Sequence, residues 1–177
     1  MSEGPPKVLI TSMPGVGKTT LIKRVCDALA DLHPVGFYTE EIRSGGIRQG
    51  FSMVGLDGTR GILAHVDCRS PHKIGKYGVD ISAFEAFLDT IDILAKANGI
   101  VIIDEIGKME CLSSKFTRLV LDLLETKNRF LATIAARGGG FISDIRQRSD
   151  VALFELTLRN RNNALAEILG LLGLPRR

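Results

Sequence analysis

The segment KVLITSMPGVGKTT, residues 7–20, decides the fold of this 177-residue chain. It opens with an apolar run over residues 7–12 that is typical of a buried strand, and a Pro-Gly pair follows the run. From Lys18 to Leu32 apolar residues recur at helical spacing, so a helix follows the glycine-rich turn. A strand, a tight loop and a helix in this order form the first unit of an α/β fold.

The loop between this strand and helix matches the phosphate-binding motif G-x-x-x-x-G-K-[ST], except that Ser12 replaces the first glycine. The two remaining glycines let consecutive backbone N–H groups face one anion, and the helix adds its positive N-terminal end. Lys18 is expected to reach the β- and γ-phosphates of a nucleotide, and the hydroxyl of Thr19 to bind Mg²⁺. The replacement of glycine by Ser12 affects only the first backbone dihedral angle of the loop, because glycine alone adopts positive φ without strain. The predicted nucleotide-binding residues of the loop are Met13, Pro14, Gly15, Val16, Gly17, Lys18, Thr19 and Thr20.

A second acidic motif follows the β-branched run at residues 100–103, which is typical of a strand covered on both faces. Asp104 and Glu105 come directly after it, at the sheet edge where ligands of α/β folds collect. We expect Asp104 to help hold Mg²⁺ and Glu105 to activate an attacking water. The alternative is that both acids are a solvated strand terminus or a helix cap.

Strand and helix patterns alternate through most of the chain, which predicts an α/β fold with a mainly parallel sheet, helices on both faces and one inserted antiparallel hairpin. The hairpin turn is predicted at Asp57-Gly58. Further strands are predicted at residues 35–41, 50–56, 60–66, 130–134 and 153–158. Further helices are predicted from Ile81 to a stop at Asn98-Gly99, and over residues 116–124 and 165–172.

Composition and charge indicate one soluble domain over residues 1–177. The 23 basic and 20 acidic residues give a net charge of +3, and the basic residues are scattered, so no nucleic-acid partner is indicated. No apolar run approaches the roughly 20 residues needed to span a bilayer, so no membrane association is expected. Three cysteines without a C-x-x-C pair suit reduced thiols in the cytoplasm. The chain is expected to act there as a monomer.

Several separated blocks together resemble one family. They are the phosphate-binding loop and residues 36–43, 46–51, 75–79, 101–110 and 156–161. In these blocks the chain is similar to the small cytosolic P-loop nucleoside-triphosphatases, the family of the cancer-related nucleoside-triphosphatase and its thermostable archaeal and bacterial relatives. The resemblance implies a RecA-like P-loop fold. It also implies Mg²⁺-dependent hydrolysis of the terminal phosphate of ATP, GTP and other nucleoside triphosphates, with little selectivity for the base.

An arginine supplied by the chain itself is expected to neutralise charge on the γ-phosphoryl group. The candidates are Arg43, Arg48, Arg137 and Arg161. Arg137 follows a predicted strand directly, and Arg161 lies in a family-like block near the last helix. Asn160 and Arg161 are alternatively expected to contact the base or the ribose.

Two other functions stay open at this point. A P-loop kinase for nucleotides or small metabolites has a similar size, but no arginine-rich lid segment is apparent, and a strand-end Asp-Glu pair suits water activation better. A nucleotide-binding switch that signals by ordering a loop is the other alternative. Orthophosphate release without an acceptor separates the hydrolase from the kinase.

Overall fold

The computed structural model describes residues 4–95 and 99–175, so the predicted helix stop at Asn98 lies outside the described residues. Within these two ranges, nine strands form one sheet in the order β5-β6-β4-β3-β2-β7-β8-β1-β9. The strands are β1 (Lys7–Thr11), β2 (Val35–Ser44), β3 (Ile47–Gly55), β4 (Arg60–His65), β5 (Lys73–Ile74), β6 (Tyr77–Val79), β7 (Ile100–Ile106), β8 (Arg129–Ile134) and β9 (Ala152–Glu155). The helices are α1 (Lys18–Ala28), α2 (Ile81–Thr90), α3 (Ser114–Glu125), α4 (Phe141–Arg146) and α5 (Ala164–Leu171).

The sheet has two halves with different strand directions. In the parallel half, β7 pairs with residues 35–38 of β2 and with β8, and β1 pairs with β8 and β9. In the antiparallel half, residues 37–44 of β2 pair with β3, and β4, β6 and β5 follow. In the parallel half, β8 lies between the strand that leads into the phosphate-binding loop and β7, which includes Asp104 and Glu105 near its carboxyl end. This arrangement confirms the predicted α/β fold with helices on both faces and an inserted antiparallel hairpin.

Helices cover the two faces of the sheet with separate apolar clusters. On one face, α2 and α3 pack Phe84 and Phe116 against Phe37 of the sheet, with edge-on ring contacts between Phe37 and each of them. On the other face, α1 and α5 bury Ile22 and Ile168 against β1. Burial of such side chains is the main favourable contribution to folding. Within the described residues, no helix is both long and apolar enough to cross a membrane.

A buried lysine fixes the amino end of β1. Lys7 Nζ donates hydrogen bonds to the carbonyl oxygens of Leu123, Thr126 and Asn128, at 2.7 to 2.9 Å. These carbonyls belong to the end of α3 and to the connection into β8. Burial lowers the pKa of Lys7, and the charges of Glu125 and Asp150 partly offset that effect. The ammonium group therefore joins β1 to the segment that precedes its neighbour β8.

Several elements differ from the sequence-based prediction. The helix from Ile81 ends at Thr90, because Asp92 adopts a positive φ of 38° and the backbone leaves the helical path. The last strand ends at Glu155 rather than at residue 158, since Asn160 bonds to the backbone of the following loop. The structure adds α4, β5 and β6, which were not predicted, and it lengthens the strands on both sides of residues 45–46 into a long hairpin.

Candidate active site

The phosphate-binding loop has the backbone geometry that its glycines predict. Gly15 and Gly17 adopt positive φ of 79° and 112°, and a Cβ at either position would have open space around it. Glycine is therefore required there by the dihedral angle and not by crowding. Ser12 is buried and is not among the described residues with positive φ, and its hydroxyl donates to the carbonyl of Met13 at 2.9 Å. Serine at the first motif position thus introduces no strain.

The amino end of α1 is left open to a ligand. In the described part of the chain no side chain caps its first turn, and that turn carries no acidic residue. The first N–H groups of a helix have no partner within the helix, and they form a ready site for an anion. Lys18 and Thr19 begin this turn, so an anion bound here contacts both side chains and backbone amides.

Asp104 is the most buried carboxylate beside the loop, with 2% of the residue exposed. It accepts two hydrogen bonds, from Thr19 Oγ1 to Oδ2 at 2.7 Å and from Thr133 Oγ1 to Oδ1 at 2.5 Å. Burial raises the pKa of Asp104, while both hydroxyls and the charges of Lys18 and Lys23 act in the opposite direction. The carboxylate is therefore held in one orientation, with the Thr19 hydroxyl directly against it.

Glu105 faces the lysine of the loop. Lys18 Nζ lies 3.6 Å from Glu105 Oε2. Burial raises the pKa of Glu105, and the charge of Lys18 partly offsets this rise. A carboxylate with a raised pKa is a stronger base near neutral pH, which suits it to accept a proton from water.

One cavity of about 550 Å³ joins these groups. Its wall includes Lys18, Thr19, Asp104, Glu105 and the exposed side chain of Arg137. The structure therefore brings together the predicted phosphate, metal and water-activating residues, and two of the candidate arginines, Arg137 and Arg48, line the same cavity.

Arg161 and Asn160 lie elsewhere. Arg161 lines a separate depression of about 410 Å³ with Gly15 and Thr20, on another side of the loop. The amide of Asn160 donates to the carbonyl of Glu155 and accepts from the backbone N–H of Thr157, both at 2.8 Å. Asn160 thus shapes its own loop, and its contact with a base or ribose stays a prediction.

The other two candidate arginines are paired within the antiparallel half. Arg43 contacts Glu41 and the carbonyl of Gly46 near the hairpin turn. Arg48 donates to Glu41 at 2.7 Å and to the hydroxyl of Tyr77 at 3.0 Å, at the far wall of the main cavity. Both guanidinium groups already have a carboxylate partner, whereas Arg137 forms no ion pair within the described residues.

Sequence reasoning missed two polar residues of the site. Thr133 lies on a predicted strand, but its contact with Asp104 depends on the position of β8 beside β7. Glu110 is buried, with 5% of the residue exposed, and lines the same cavity. Its only sequence signal is an acid in the loop that follows Asp104-Glu105, and no spacing rule assigns it a role.

A phosphate-binding loop beside an acidic strand end, with β8 between their two strands, defines the class of P-loop NTPases. A model of the NTPase family matches residues 7–169. The nucleoside-triphosphatase THEP1 of Thermotoga sp. (strain RQ2) is 44% identical over 171 residues, which cover 96% of this chain and 97% of the relative. The human cancer-related nucleoside-triphosphatase is 40% identical over 92% of this chain and 94% of its own length. The chain therefore belongs to the NTPase family, and its resemblance to that family is confirmed.

Solved structures support the same assignment. The crystal structure of THEP1 from Aquifex aeolicus aligns with a TM-score of 0.83 at 36% identity, over 94% of this chain and 98% of that one. The solution structure of the human cancer-related nucleoside triphosphatase aligns with a TM-score of 0.81 at 38% identity, over 93% and 96% of the two chains. Membership of this family identifies the chain as a hydrolase, and the kinase alternative is not favoured.

Proposed function

We propose that the chain hydrolyses the terminal phosphate of nucleoside triphosphates, including ATP and GTP, to the diphosphate and orthophosphate. The observation that carries this proposal is one juxtaposition: the Thr19 hydroxyl bonds to Asp104, and Lys18 lies next to Glu105, within one cavity. The names of the relatives, as nucleoside-triphosphatases, support the same reaction. Water is the phosphoryl acceptor.

The residues present fit a bound Mg²⁺. The oxygens of Thr19 and Asp104 are 2.7 Å apart, and oxygen donors of this kind suit a hard cation that keeps several waters and binds substrate phosphates. Thr19 and Asp104 would hold the ion, which supplies neutralisation of charge on the phosphate oxygens when bound. We therefore propose that activity depends on Mg²⁺.

The protein groups act around the γ-phosphate in separate ways. Lys18 and the loop amides bind the phosphate oxygens, and binding draws the ammonium group of Lys18 away from Glu105. Glu105 orients the attacking water and accepts its proton. Arg137, at the wall of the same cavity, balances negative charge on the γ-phosphoryl group as it leaves. Each of these residues touches the substrate or the water.

Broad tolerance of the base is part of the proposal. The depression outside the loop is open and is lined by Arg24, Arg161 and Asn162, all three of which are exposed. Long flexible side chains of this kind contact ribose or a base face rather than reading a unique set of base-edge donors and acceptors. A nucleotide contact of Arg161 in this depression is part of the proposal.

The chain is further proposed to act as a cytoplasmic monomer. The three cysteines are free thiols, which suits a reducing compartment.

The direct test is orthophosphate release from ATP, GTP, CTP and UTP, with and without Mg²⁺, using purified protein and no acceptor. We expect release from all four nucleotides within about a tenfold range of kcat/KM, since open pockets discriminate weakly. We also expect no release in the presence of a chelator. Release from one nucleotide only would refute the proposed tolerance of the base. Unchanged release with chelator would refute the proposed dependence on Mg²⁺.

A further inference from the structure

Glu110 is a buried acid that the reaction described above does not use. It lies in a 3-10 turn (Glu110–Leu112) that follows β7, and its carboxyl group lines the nucleotide cavity. Burial raises the pKa of Glu110 to about 8, and the charge of Glu105 adds to the rise. Within the described residues no cation pairs with Glu110, and an ionised carboxylate so deeply buried is costly. The backbone N–H groups of Glu110 and Gly107 only partly offset this rise in pKa, so the acid holds its proton at neutral pH.

The position of Gly107 shows how close the two acids are. A Cβ on Gly107 would lie 2.8 Å from Glu105 Oε1 and 2.8 Å from Glu110 Oε2, so the two oxygens are no more than twice that distance apart. One bridging water spans such a separation. The other oxygen of Glu105 faces Lys18. Glu105 therefore lies between a lysine on one side and Glu110 on the other.

We propose that Glu110 is a positioning residue. Its carboxyl group stays protonated and donates a hydrogen bond to Glu105, directly or through one water. The inference rests on the proposed role of Glu105 as the base. The hydrogen bond fixes the rotamer of Glu105 and stabilises its ionised form, so that its reactive oxygen stays aimed at the attacking water. The proton stays on Glu110 throughout, and no bond to it forms or breaks.

Loss of this proton reverses the effect. An ionised Glu110 would no longer donate, and it would place a second negative charge beside Glu105. Several charged and titratable groups surround Glu110. They are Asp104 and Glu105 on β7, Lys18 on α1, Lys108 before the turn, Cys111 within it, Glu85 on α2, and Glu40, Glu41, Arg48 and Arg137 across the cavity. Of these, Glu105 and Asp104 act directly on the ionisation of Glu110, and both oppose it.

The test compares Glu110→Gln, which keeps a donor of the same shape, with Glu110→Ala, which has none. We expect Glu110→Gln to retain kcat within about threefold at pH 7 and Glu110→Ala to lose about tenfold to 100-fold in kcat with KM little changed. The wild-type rate should fall above about pH 8, and the glutamine variant should lack that fall. Equal loss in both variants would overturn the proposal, as would identical pH profiles for wild type and Glu110→Gln.

A second readout does not depend on turnover. A folded-state pKa near 8, above the unfolded value near 4.5, means that the folded protein binds more protons in that interval, so stability falls as pH rises through it. The denaturation midpoint of the wild type should therefore drop more between pH 5 and pH 9 than that of Glu110→Gln. Equal drops would show that Glu110 is ionised in the folded protein and would refute the inference, even where Glu110→Ala fails to fold.

Two further variants separate this inference from the proposed function. Glu85→Gln makes the same chemical change on a nearby acid that does not line the cavity. Glu85 accepts a hydrogen bond from Ser113, which follows the turn that contains Glu110. The Glu85→Gln variant should keep the wild-type rate and pH profile. Glu105→Gln tests the base itself. If that variant keeps full turnover, the base assignment is wrong. If it is inactive and the Glu110 variants nevertheless show equal losses or unchanged pH profiles, only the role of Glu110 is refuted.

Discussion

In the parallel half of the sheet, the carboxylate of Asp104 is buried and accepts bonds from two threonine hydroxyls, whereas in the antiparallel half Glu41 is exposed and paired with two arginines. Lys18 follows the same division, because its nearest carboxylate, Glu105, lies 3.6 Å away and leaves the ammonium group able to bind a ligand. One half thus keeps charged groups available to substrate, while the other neutralises its own charges. Substitutions in the two halves should differ accordingly.

The largest effect is expected from Lys18→Ala. Removal of the ammonium group takes away the cation that contacts the β- and γ-phosphates, and loss of such a charge contact costs about 10³-fold in turnover or more. Orthophosphate release measures it. Lys23→Ala, further along α1, removes a lysine that binds Glu40 outside the phosphate loop and should keep turnover within about twofold. Equal losses in both variants would show that α1 is generally sensitive and would break the comparison.

Glu105→Gln should retain nucleotide binding and slow hydrolysis by about 10²-fold or more, the usual scale for loss of a general base. Single-turnover orthophosphate release gives the rate, and titration calorimetry gives the affinity. A glutamine variant with unchanged turnover would remove Glu105 from the mechanism and leave the parallel half with a binding role only.

In Thr133→Val, half-maximal hydrolysis should need about tenfold more Mg²⁺, because Asp104 loses a donor that orients it. Turnover at saturating Mg²⁺ should change little, and a metal titration of the rate measures both values. Thr11→Val is the matched control on a neighbouring strand, since the Thr11 hydroxyl is buried without a partner among the described residues. That change should be neutral or slightly stabilising. A weaker Mg²⁺ response in the Thr11 variant as well would contradict the assignment.

The smallest effect is expected in the antiparallel half. Glu41→Gln removes two exposed ion pairs, and such pairs contribute about 1 kcal/mol or less to the free energy of unfolding. Denaturant unfolding should register that small loss, and turnover should stay within about twofold. A tenfold loss of turnover would mean that Arg48, once released, interferes with the nucleotide, and the two halves would then be coupled.

The sequence predicts the parts of the site that are local. The loop at residues 12–19 follows β1 directly, and the acids at 104–105 lie near the carboxyl end of β7, so pattern alone locates both. Thr133 and Glu110 depend on which strands and turns become neighbours, and strand order is not encoded in any short pattern. The predicted helix from Ile81 is longer than α2 because tertiary packing also buries residues beyond its end. Ile91 and Ile93 are buried in the turns that follow, so the apolar pattern continues past the helix.

The contact of Lys7 with three carbonyls lies at the amino ends of β1 and β8, whereas nucleotide chemistry is proposed at the opposite, carboxyl ends. The molecule therefore anchors β1 and β8 at their amino ends and leaves the carboxyl ends open to a ligand. Engineering of thermal resistance around Lys7 is then separable from engineering of nucleotide preference, because the two tasks use residues at opposite ends of the same strands.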